Sequence, residues 1–446
     1  DAEASPLDGY RQFVALSEDV FVLSVAMFAF SLGFQMTTRF LPEYLRVLGA
    51  SGFVIGLFGT GGNLISALYP YPGGAVSDRI GSRYALTLFG AASTLGFLLW
   101  AIAPSFGTLT IGGLTIQPWL WVFVGLILAQ AWKSFGLGAT FAIVKQSVPP
   151  ERLARGFAST ETFRRSAFLL GPVLAAGLLA LHPAFTVSFR YVLVVAVVVG
   201  LVATAVQHVL YDASDDSFGE TVEGLSQLRS DLRSLPSPLR PLLIGDTFVR
   251  FANGMVYVFF IIVVTEFLDV GLSVSLPGVG GVDLAPATFF GLLLGVEMVV
   301  ALVVMAPAAA LAERVGLKPV VATGFAVYAI FPILLISAPP NAAVLAALFA
   351  FSGLRFAGLP AHKALIVGPA AADAGGRVTG SYYLVRNLIV IPSGALGGAL
   401  YGGLPDPRGG QLVAGDPTLA FAVATVIGLI GTAYFLLAGE EFDAYR

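Results

Sequence analysis

The chain contains the stretch Pro72-Gly-Gly-Ala-Val-Ser-Asp-Arg-Ile-Gly81, and a weaker copy, Pro307-Ala-Ala-Ala-Leu-Ala-Glu-Arg-Val-Gly316, stands in its second half. Each copy follows the second long apolar segment of its half. Further matches keep the same order along the chain and pair Asp19 with Asp246, Lys133 with Arg355, and Arg165 with Arg386. Chance would scatter such matches, so the sequence predicts two related halves.

Long apolar segments make up most of the remaining chain. Hydrophobic residues account for 57% of the 446 residues and charged residues for 11%, whereas soluble proteins carry about 25% charged residues. A membrane-spanning helix needs about 20 apolar residues and satisfies its own backbone hydrogen bonds in lipid. We therefore predict an all-α integral membrane fold with twelve transmembrane helices in two pseudo-symmetric six-helix bundles. The predicted spans are Val20–Leu48, Phe53–Val76, Tyr84–Ala103, Pro118–Val144, Phe163–Leu181, Phe189–Leu210, Leu239–Leu268, Ala287–Leu311, Val320–Ile336, Ala342–Val367, Thr379–Tyr401 and Leu419–Leu437.

The short loops between these spans alternate in charge, and most Arg and Lys residues fall on one side. The positive-inside bias places that side, and both termini, in the cytoplasm of a multi-pass cell-membrane protein. The loops at Gly271–Ala285 and Gly402–Pro417 lie on the opposite side and are predicted to form irregular turns. The predicted organisation is a cytoplasmic N-terminal segment at 1–17, an N-terminal bundle at 18–211, a cytoplasmic linker at 212–238, a C-terminal bundle at 239–438 and a cytoplasmic tail at 439–446.

The loop after the second span reads Gly74-x-x-x-Asp78-Arg79-x-Gly81-x-Arg83. With this motif and its second copy, the chain resembles the major facilitator superfamily over essentially its whole length. The resemblance implies a transporter with a substrate site between its halves, and a loop that acts as a latch for one access state. The alternative is that the loop has no latch function and only carries the positive charges that are usual on the cytoplasmic side. The implied latch residues are Gly74, Asp78, Arg79, Gly81, Arg83, Glu313 and Arg314.

Two further motifs bear on the kind of transporter. The fourth span carries Lys133-x-x-Gly136-x-Gly138, which is similar to a family motif that usually has Arg at the first position. The fifth span carries Gly171-Pro172, which resembles the antiporter motif of drug:proton exchangers, although Ala175 and Ala176 replace its later glycines. The chain thus resembles drug:proton antiporter-like members of the family, and the two alanines make that resemblance weaker.

Charged residues inside the spans are candidate functional residues, because each costs about 2.5–3.5 kcal/mol to insert. Glu297 lies near the middle of its span with no cation at helical spacing, so it is a candidate proton carrier, and the alternative is a static bridge to Arg355 or Lys133. Arg39 with Glu43, and Asp246 with Arg250, have the four-residue spacing of intrahelical ion pairs. The predicted proton-coupling residues are Glu297, Asp246 and Glu43, and the predicted substrate-site residues are Lys133, Arg355, Arg39, Arg250 and Arg386.

Composition excludes several other functions. The chain has no Cys and three His residues far apart in sequence, so it offers no recognisable nucleophile or metal cluster, and we predict no enzyme activity, cofactor or metal. A net charge of −3 gives no basic surface for nucleic acid. The leading prediction is a prokaryotic, proton-coupled secondary transporter that exports a small molecule by alternating access, as a monomer in contact with membrane lipid. The alternatives are an importer or exchanger of an organic anion, and a non-transporting sensor on the same fold.

Overall fold

The computed structural model describes residues 18–69, 76, 79–111, 114–132, 153–211, 237, 239–276, 280–367, 375–406 and 410–441. These residues are mostly helical. The principal helices are α1 Glu18–Thr37, α2 Leu41–Val47, α3 Gly52–Leu68, α4 Ser82–Ile102, α5 Pro118–Ala129, α6 Leu153–Leu179, α7 Phe185–Leu210, α8 Leu239–Val256, α9 Pro286–Val315, α10 Leu317–Ile336, α11 Ala342–Gly353, α12 Leu359–Val367, α13 Gly375–Val390, α14 Ser393–Gly402 and α15 Pro417–Ala438.

Three antiparallel hairpins join some of these helices. Strand β1, Leu109–Ile111, pairs with β2, Leu114–Ile116, and β3, Leu272–Leu276, pairs with β4, Gly280–Leu284. The third hairpin pairs β5, Leu404–Pro405, with β6, Gln411–Val413. The prediction of irregular turns at Gly271–Ala285 and Gly402–Pro417 is therefore wrong. The alternation Leu-Ser-Val-Ser-Leu in β3 is a strand pattern, which the Gly and Pro content of the loop masks.

Eight helical segments among the described residues are long and apolar enough to cross a membrane. The bent pair Phe21–Thr37 and Leu41–Val47 makes a ninth, and three shorter apolar helices cover Gly52–Leu68, Pro118–Ala129 and Ser166–Leu179. Every predicted span overlaps one of these helices. The predicted count of twelve crossings stays a prediction.

Three predicted spans are broken at a proline. Helices α1 and α2 meet at a bend of 42°, and Pro42 occupies the first turn of α2. A 3-10 turn at Leu354–Phe356 separates α11 from α12, which has Pro360 in its first turn. Pro392 separates α13 from α14. Proline fits the first turn of a helix and disrupts a helix interior, which explains these breaks.

The chain divides into two compact units, Asp1–Leu41 with Leu68–Val222, and Pro42–Ala67 with Glu223–Arg446. In the first unit, Trp132 stacks on Phe30 with ring centroids 4.6 Å apart, and its indole Nε1 donates to Gln207 Oε1 at 3.1 Å. Gly171 of α6 lies where a Cβ would meet the backbone of Gln35 and Met36 in α1 at 3.1 Å. The glycine of the fifth-span motif therefore permits a close helix contact.

In the second unit, glycines of α3 face glycines of α14. A Cβ on Gly398 would lie 2.8 Å from the Cα of Gly56, which leaves no room for a side chain. Beside this contact, Thr60 Oγ1 accepts a hydrogen bond of 2.7 Å from the backbone N–H of Ala395, in the first turn of α14. This packing of α3 on α14 keeps both helices in fixed register within the unit.

The two copies of the loop motif share one backbone feature. Gly81 immediately precedes α4 with φ 85° and ψ 153°, and Gly316 immediately precedes α10 with φ 92° and ψ 161°. A left-handed φ favours glycine, which explains why both copies keep this residue. The sequence match between the copies therefore corresponds to a match in local structure.

Candidate functional site

The second unit holds a buried carboxylate with four partners, which we name the Asp246 cluster: Asp246, Arg250, His362, Tyr382 and Arg386. Asp246 is fully buried in α8. Its Oδ1 accepts from Arg250 Nε at 3.3 Å, one helical turn along α8. Its Oδ2 lies 3.0 Å from Arg386 Nη1 and accepts from the Tyr382 hydroxyl at 3.1 Å, both from α13. His362 of α12 places Nε2 3.3 Å from the same Oδ2.

A second ion pair, the Glu297 cluster, consists of Glu297, Ser352 and Arg355. Glu297 of α9 lies 2.8 Å from Arg355 Nη2, and each side chain is only 3% exposed. The Ser352 hydroxyl of α11 donates to the same carboxylate at 2.5 Å. Arg355 belongs to the 3-10 turn that separates α11 from α12. The structure thus contains the static bridge that was the alternative to a proton-carrying Glu297.

Tyr328 of α10 joins the two clusters. Its hydroxyl accepts from Arg250 Nη1 at 3.1 Å. The guanidinium carbons of Arg250 and Arg355 each lie 4.9 Å from the centre of its ring, which is cation–π distance. Charged and polar side chains of six helices, α8 to α13, and of the 3-10 turn between α11 and α12 therefore form one continuous network.

The network carries more positive than negative charge, since three guanidinium groups face two carboxylates. Arg355 is buried, but the side chains of Arg250 and Arg386 are 25% and 16% exposed. Because a charge in hydrocarbon is costly, we infer that their open sides face water rather than lipid. Arg386 also donates from Nε and Nη2 to Oδ1 of the neighbouring Asn387, at 3.3 and 3.0 Å. An anion bound at Arg386 would take the place of that amide oxygen, since planar guanidinium groups match the oxygens of carboxylates and phosphates.

Asn253 adds a polar group next to this network. It lies three residues after Arg250 on α8, a spacing that places both on neighbouring parts of one helix face. Its side-chain Oδ1 is buried and has no hydrogen-bond partner among the residues that the structure describes. A buried polar atom without a partner is costly, so this acceptor is available to a donor on a bound molecule.

Glu43 lies in a separate group, the Glu43 cluster of Glu43, Arg46, Thr265 and Glu266. Arg46 Nη2 lies 2.7 Å from Glu43, and Arg46 also pairs with Glu266. The Thr265 hydroxyl donates to Glu43 at 2.9 Å, from the π-helical segment Val263–Phe267. Arg39 lies in the bend between α1 and α2, so the helical spacing assumed for Arg39 and Glu43 does not hold.

Among the described latch residues, Arg83 has a hydrogen bond to a backbone carbonyl. Arg83 Nε donates to the carbonyl of His208 at 2.7 Å, near the end of α7. Arg79 and Arg314 are exposed. Gly74, Asp78, the Glu313 side chain and Lys133 lie outside the described part of the structure. The latch therefore stays a prediction.

The sequence predicts Asp246, Arg250 and Arg386 as site residues, but not their partners His362, Tyr382 and Tyr328, nor Ser352, the partner of Glu297. The three histidines lack metal-ligand spacing, and Tyr382, Tyr328 and Ser352 carry no signal of their own in the sequence. A histidine inside an apolar span, two residues after Pro360, was the one feature that could have been read.

Apolar helices around buried ion pairs define a multi-pass membrane protein that holds charge within its spans. A model described as Major Facilitator Superfamily matches residues 23–284, more than half of the chain. The chain therefore belongs to the major facilitator superfamily, and it is a membrane transporter rather than an enzyme.

The individual relatives agree with this family. An uncharacterised MFS-type transporter of Methanocaldococcus jannaschii is 22% identical over 391 residues, covering 86% of this chain and 89% of the relative. One from Mycobacterium tuberculosis is 28% identical over 216 residues, covering 48% of this chain and 47% of the relative. A mutant of the nucleoside transporter NupG superposes with a TM-score of 0.71 at 11% identity, covering 94% of this chain and all of that one. At this identity the likeness concerns the fold alone.

Proposed function

We propose that the protein is a proton-coupled secondary transporter whose substrate is a small organic anion bound by Arg250 and Arg386. The observation that carries this proposal is the excess of guanidinium over carboxylate in the buried network, with these two groups partly open. A neutral or cationic substrate would leave that excess charge uncompensated at the site. An anionic substrate would neutralise that excess positive charge.

Proton coupling is proposed on the same cluster. Asp246 is buried and contacts Arg250, His362 and Arg386. Gain or loss of a proton in this cluster would therefore change how strongly these groups attract one another. An ion gradient is the energy source we propose, because the sequence carries no nucleotide-binding loop. We further propose twelve crossings, alternating access, a monomer, and a place in the cytoplasmic membrane with both termini in the cytoplasm, as the repeat and the loop charges predict.

Export of amphipathic molecules, the leading sequence prediction, rests on the fifth-span motif. Gly171 in that motif has a packing role against α1, which needs no antiport to explain it. The direction of transport stays a prediction. The anion proposal takes precedence because it rests on the charges of the site itself.

The test is transport into proteoliposomes under an imposed pH gradient. Benzenesulfonate is the anionic probe because it stays ionised and does not cross the bilayer as a neutral acid, and tetraphenylphosphonium is the cationic probe. We expect gradient-driven movement of benzenesulfonate that falls about tenfold in Arg386→Gln, since a charge-assisted hydrogen bond contributes about 1.5–3 kcal/mol. The control Arg240→Gln changes an exposed arginine of the same unit. Because tetraphenylphosphonium crosses lipid bilayers unaided, its movement is counted only above that in protein-free liposomes. Protein-dependent movement of tetraphenylphosphonium without movement of benzenesulfonate would contradict the anion proposal.

A further inference from the structure

His362 is a histidine inside the buried network that the proposed function does not yet use. It is 4% exposed, and its Nε2 has two oxygen neighbours. Asp246 Oδ2 lies 3.3 Å away and the Tyr382 hydroxyl 3.4 Å away. The Tyr382 proton is donated to Asp246, and an ionised carboxylate only accepts, so Nε2 must carry hydrogen. A charge change at His362 therefore takes place at Nδ1.

Three donors converge on one oxygen of Asp246. Arg386, Tyr382 and His362 all lie within 3.3 Å of Oδ2, whereas Arg250 contacts Oδ1. Neutral His362 competes weakly, as one uncharged donor. Protonated His362 forms an ion pair with the same oxygen that holds Arg386, and the local excess of positive charge rises by one.

We propose that His362 binds the coupling proton, and that its protonation displaces Arg386 from Asp246 so that Arg386 binds the anionic substrate. This inference rests on the proposed function. Protonation of His362 then raises the affinity for the anion, and by linkage the bound anion raises the affinity for the proton by the same factor. Proton and anion then travel together, as in a symporter.

Among the described residues, Asp246 provides the carboxylate that contacts His362. From α8 it faces Asp246 and, across that carboxylate, Arg250. From α13 it faces Tyr382 and, again across the carboxylate, Arg386. From α10 the ring of Phe325 contacts it edge-on, with centroids 5.8 Å apart. On α12 itself, the neighbouring Lys363 is exposed.

The first experiment reads proton binding without any substrate. The chain has three histidines, so a His182→Gln/His208→Gln variant leaves His362 as the only one. With isotope-labelled histidine in nanodiscs, the ring 15N NMR signals distinguish the neutral from the protonated imidazole, and we expect the protonated form of His362 to appear as the pH is lowered. A ring that keeps one charge state at every pH at which the protein stays folded overturns the inference.

The second experiment reads the linkage to the anion. Binding of benzenesulfonate is measured by thermal unfolding, followed by tryptophan fluorescence, with neutral benzenesulfonamide as the matched compound. We expect the wild type to bind the sulfonate about fivefold or more tightly at low pH than at high pH, the lower end of usual coupling between sites. His362→Gln should bind it with the same affinity at both pH values, while His208→Gln keeps the wild-type difference.

The outcomes separate this inference from the proposed function. Benzenesulfonate binding whose pH dependence survives in His362→Gln overturns the inference and leaves the anion proposal standing. Tighter binding at high pH in the wild type also overturns it, because proton and anion would then compete. No benzenesulfonate binding at either pH overturns the proposed function and the linkage together, even where His362 titrates. If His362→Gln does not fold, the NMR experiment still decides, because His362 is intact in it.

Discussion

Glu297 and Arg355 form an ion pair of 2.8 Å in which each side chain is 3% exposed. A pair buried this deeply contributes little net stability, because both charges lose their hydration. Removing one of the two residues lowers stability much more, because the remaining buried charge loses its opposite charge. A single substitution in this pair should therefore destabilise the protein more than the double substitution does.

We expect Glu297→Gln to destabilise the protein by about 3–5 kcal/mol, because buried Arg355 loses its carboxylate. The double variant Glu297→Gln/Arg355→Gln should recover part of that loss. Thermal unfolding in one detergent, followed by tryptophan fluorescence, measures both. A single variant as stable as the wild type would show that the pair is not formed in the membrane protein.

The contact between α3 and α14 predicts a strong dependence on residue size. A Cβ on Gly398 would lie 2.8 Å from the Cα of Gly56, a helix backbone atom that cannot move aside as the end of a flexible side chain could. We expect Gly398→Ala to lower the unfolding temperature, since overpacking costs about 1–3 kcal/mol. Gly177→Ala is the matched control, because nothing lies within 4 Å of its Cβ position. Equal unfolding temperatures for the two variants would rule out the tight contact.

The Glu43 cluster predicts unequal effects for its two acids. Glu43 is 6% exposed and Glu266 is 45% exposed, and both pair with Arg46. An exposed ion pair contributes about 0–1 kcal/mol, so Glu266→Gln should have a small, salt-sensitive effect. Arg46→Gln should cost more because it leaves buried Glu43 with only the Thr265 hydroxyl among the partners described here. Thermal unfolding at low and high salt tests this order, which the reverse ranking would contradict.

Glu441 predicts a role for the last described residues of the chain. Its carboxylate accepts from the backbone N–H of Leu317 at 3.0 Å and of Lys318 at 2.9 Å, at the start of α10. An anion at a helix N-terminus satisfies unpaired N–H groups and the helix dipole. We expect Glu441→Gln to cost about 0.5–2 kcal/mol, as loss of a helix cap does. The neighbouring exposed Glu440→Gln is the control, and an equal effect of both would exclude the cap.

Sequence alone could predict the parts of this structure that depend on local spacing. The apolar spans follow from hydropathy, and the Asp246–Arg250 pair follows from a spacing of four residues on one helix. Pro42, Pro360 and Pro392 each lie at a helix break, but Pro172, Pro307 and Pro332 lie inside continuous helices, so proline alone does not locate the breaks. The prediction treated those spans as continuous because their apolar character does not change across the breaks.

The partners of Asp246 from other helices could not be predicted. Tyr382 lies 136 residues away in sequence and Arg386 lies 140 residues away. Whether they meet Asp246 depends on how each helix is rotated about its axis, and small residues at the contacts fix that rotation through packing. Asp246, Arg250 and Asn253 do mark a polar face on α8 by their spacing, but that face does not tell which residues of α12 and α13 meet it.

The link through Tyr328 has a consequence for how such a protein changes during evolution. Both charge clusters touch this one ring, so a substitution in either alters the electrostatic surroundings of the other. A lineage that loses one charge passes through a form with an uncompensated ion unless a second change accompanies it. We therefore expect the charged residues of the network to be kept or replaced together in evolution. Introducing one of its arginines alone into a relative should not transfer the substrate preference of this protein.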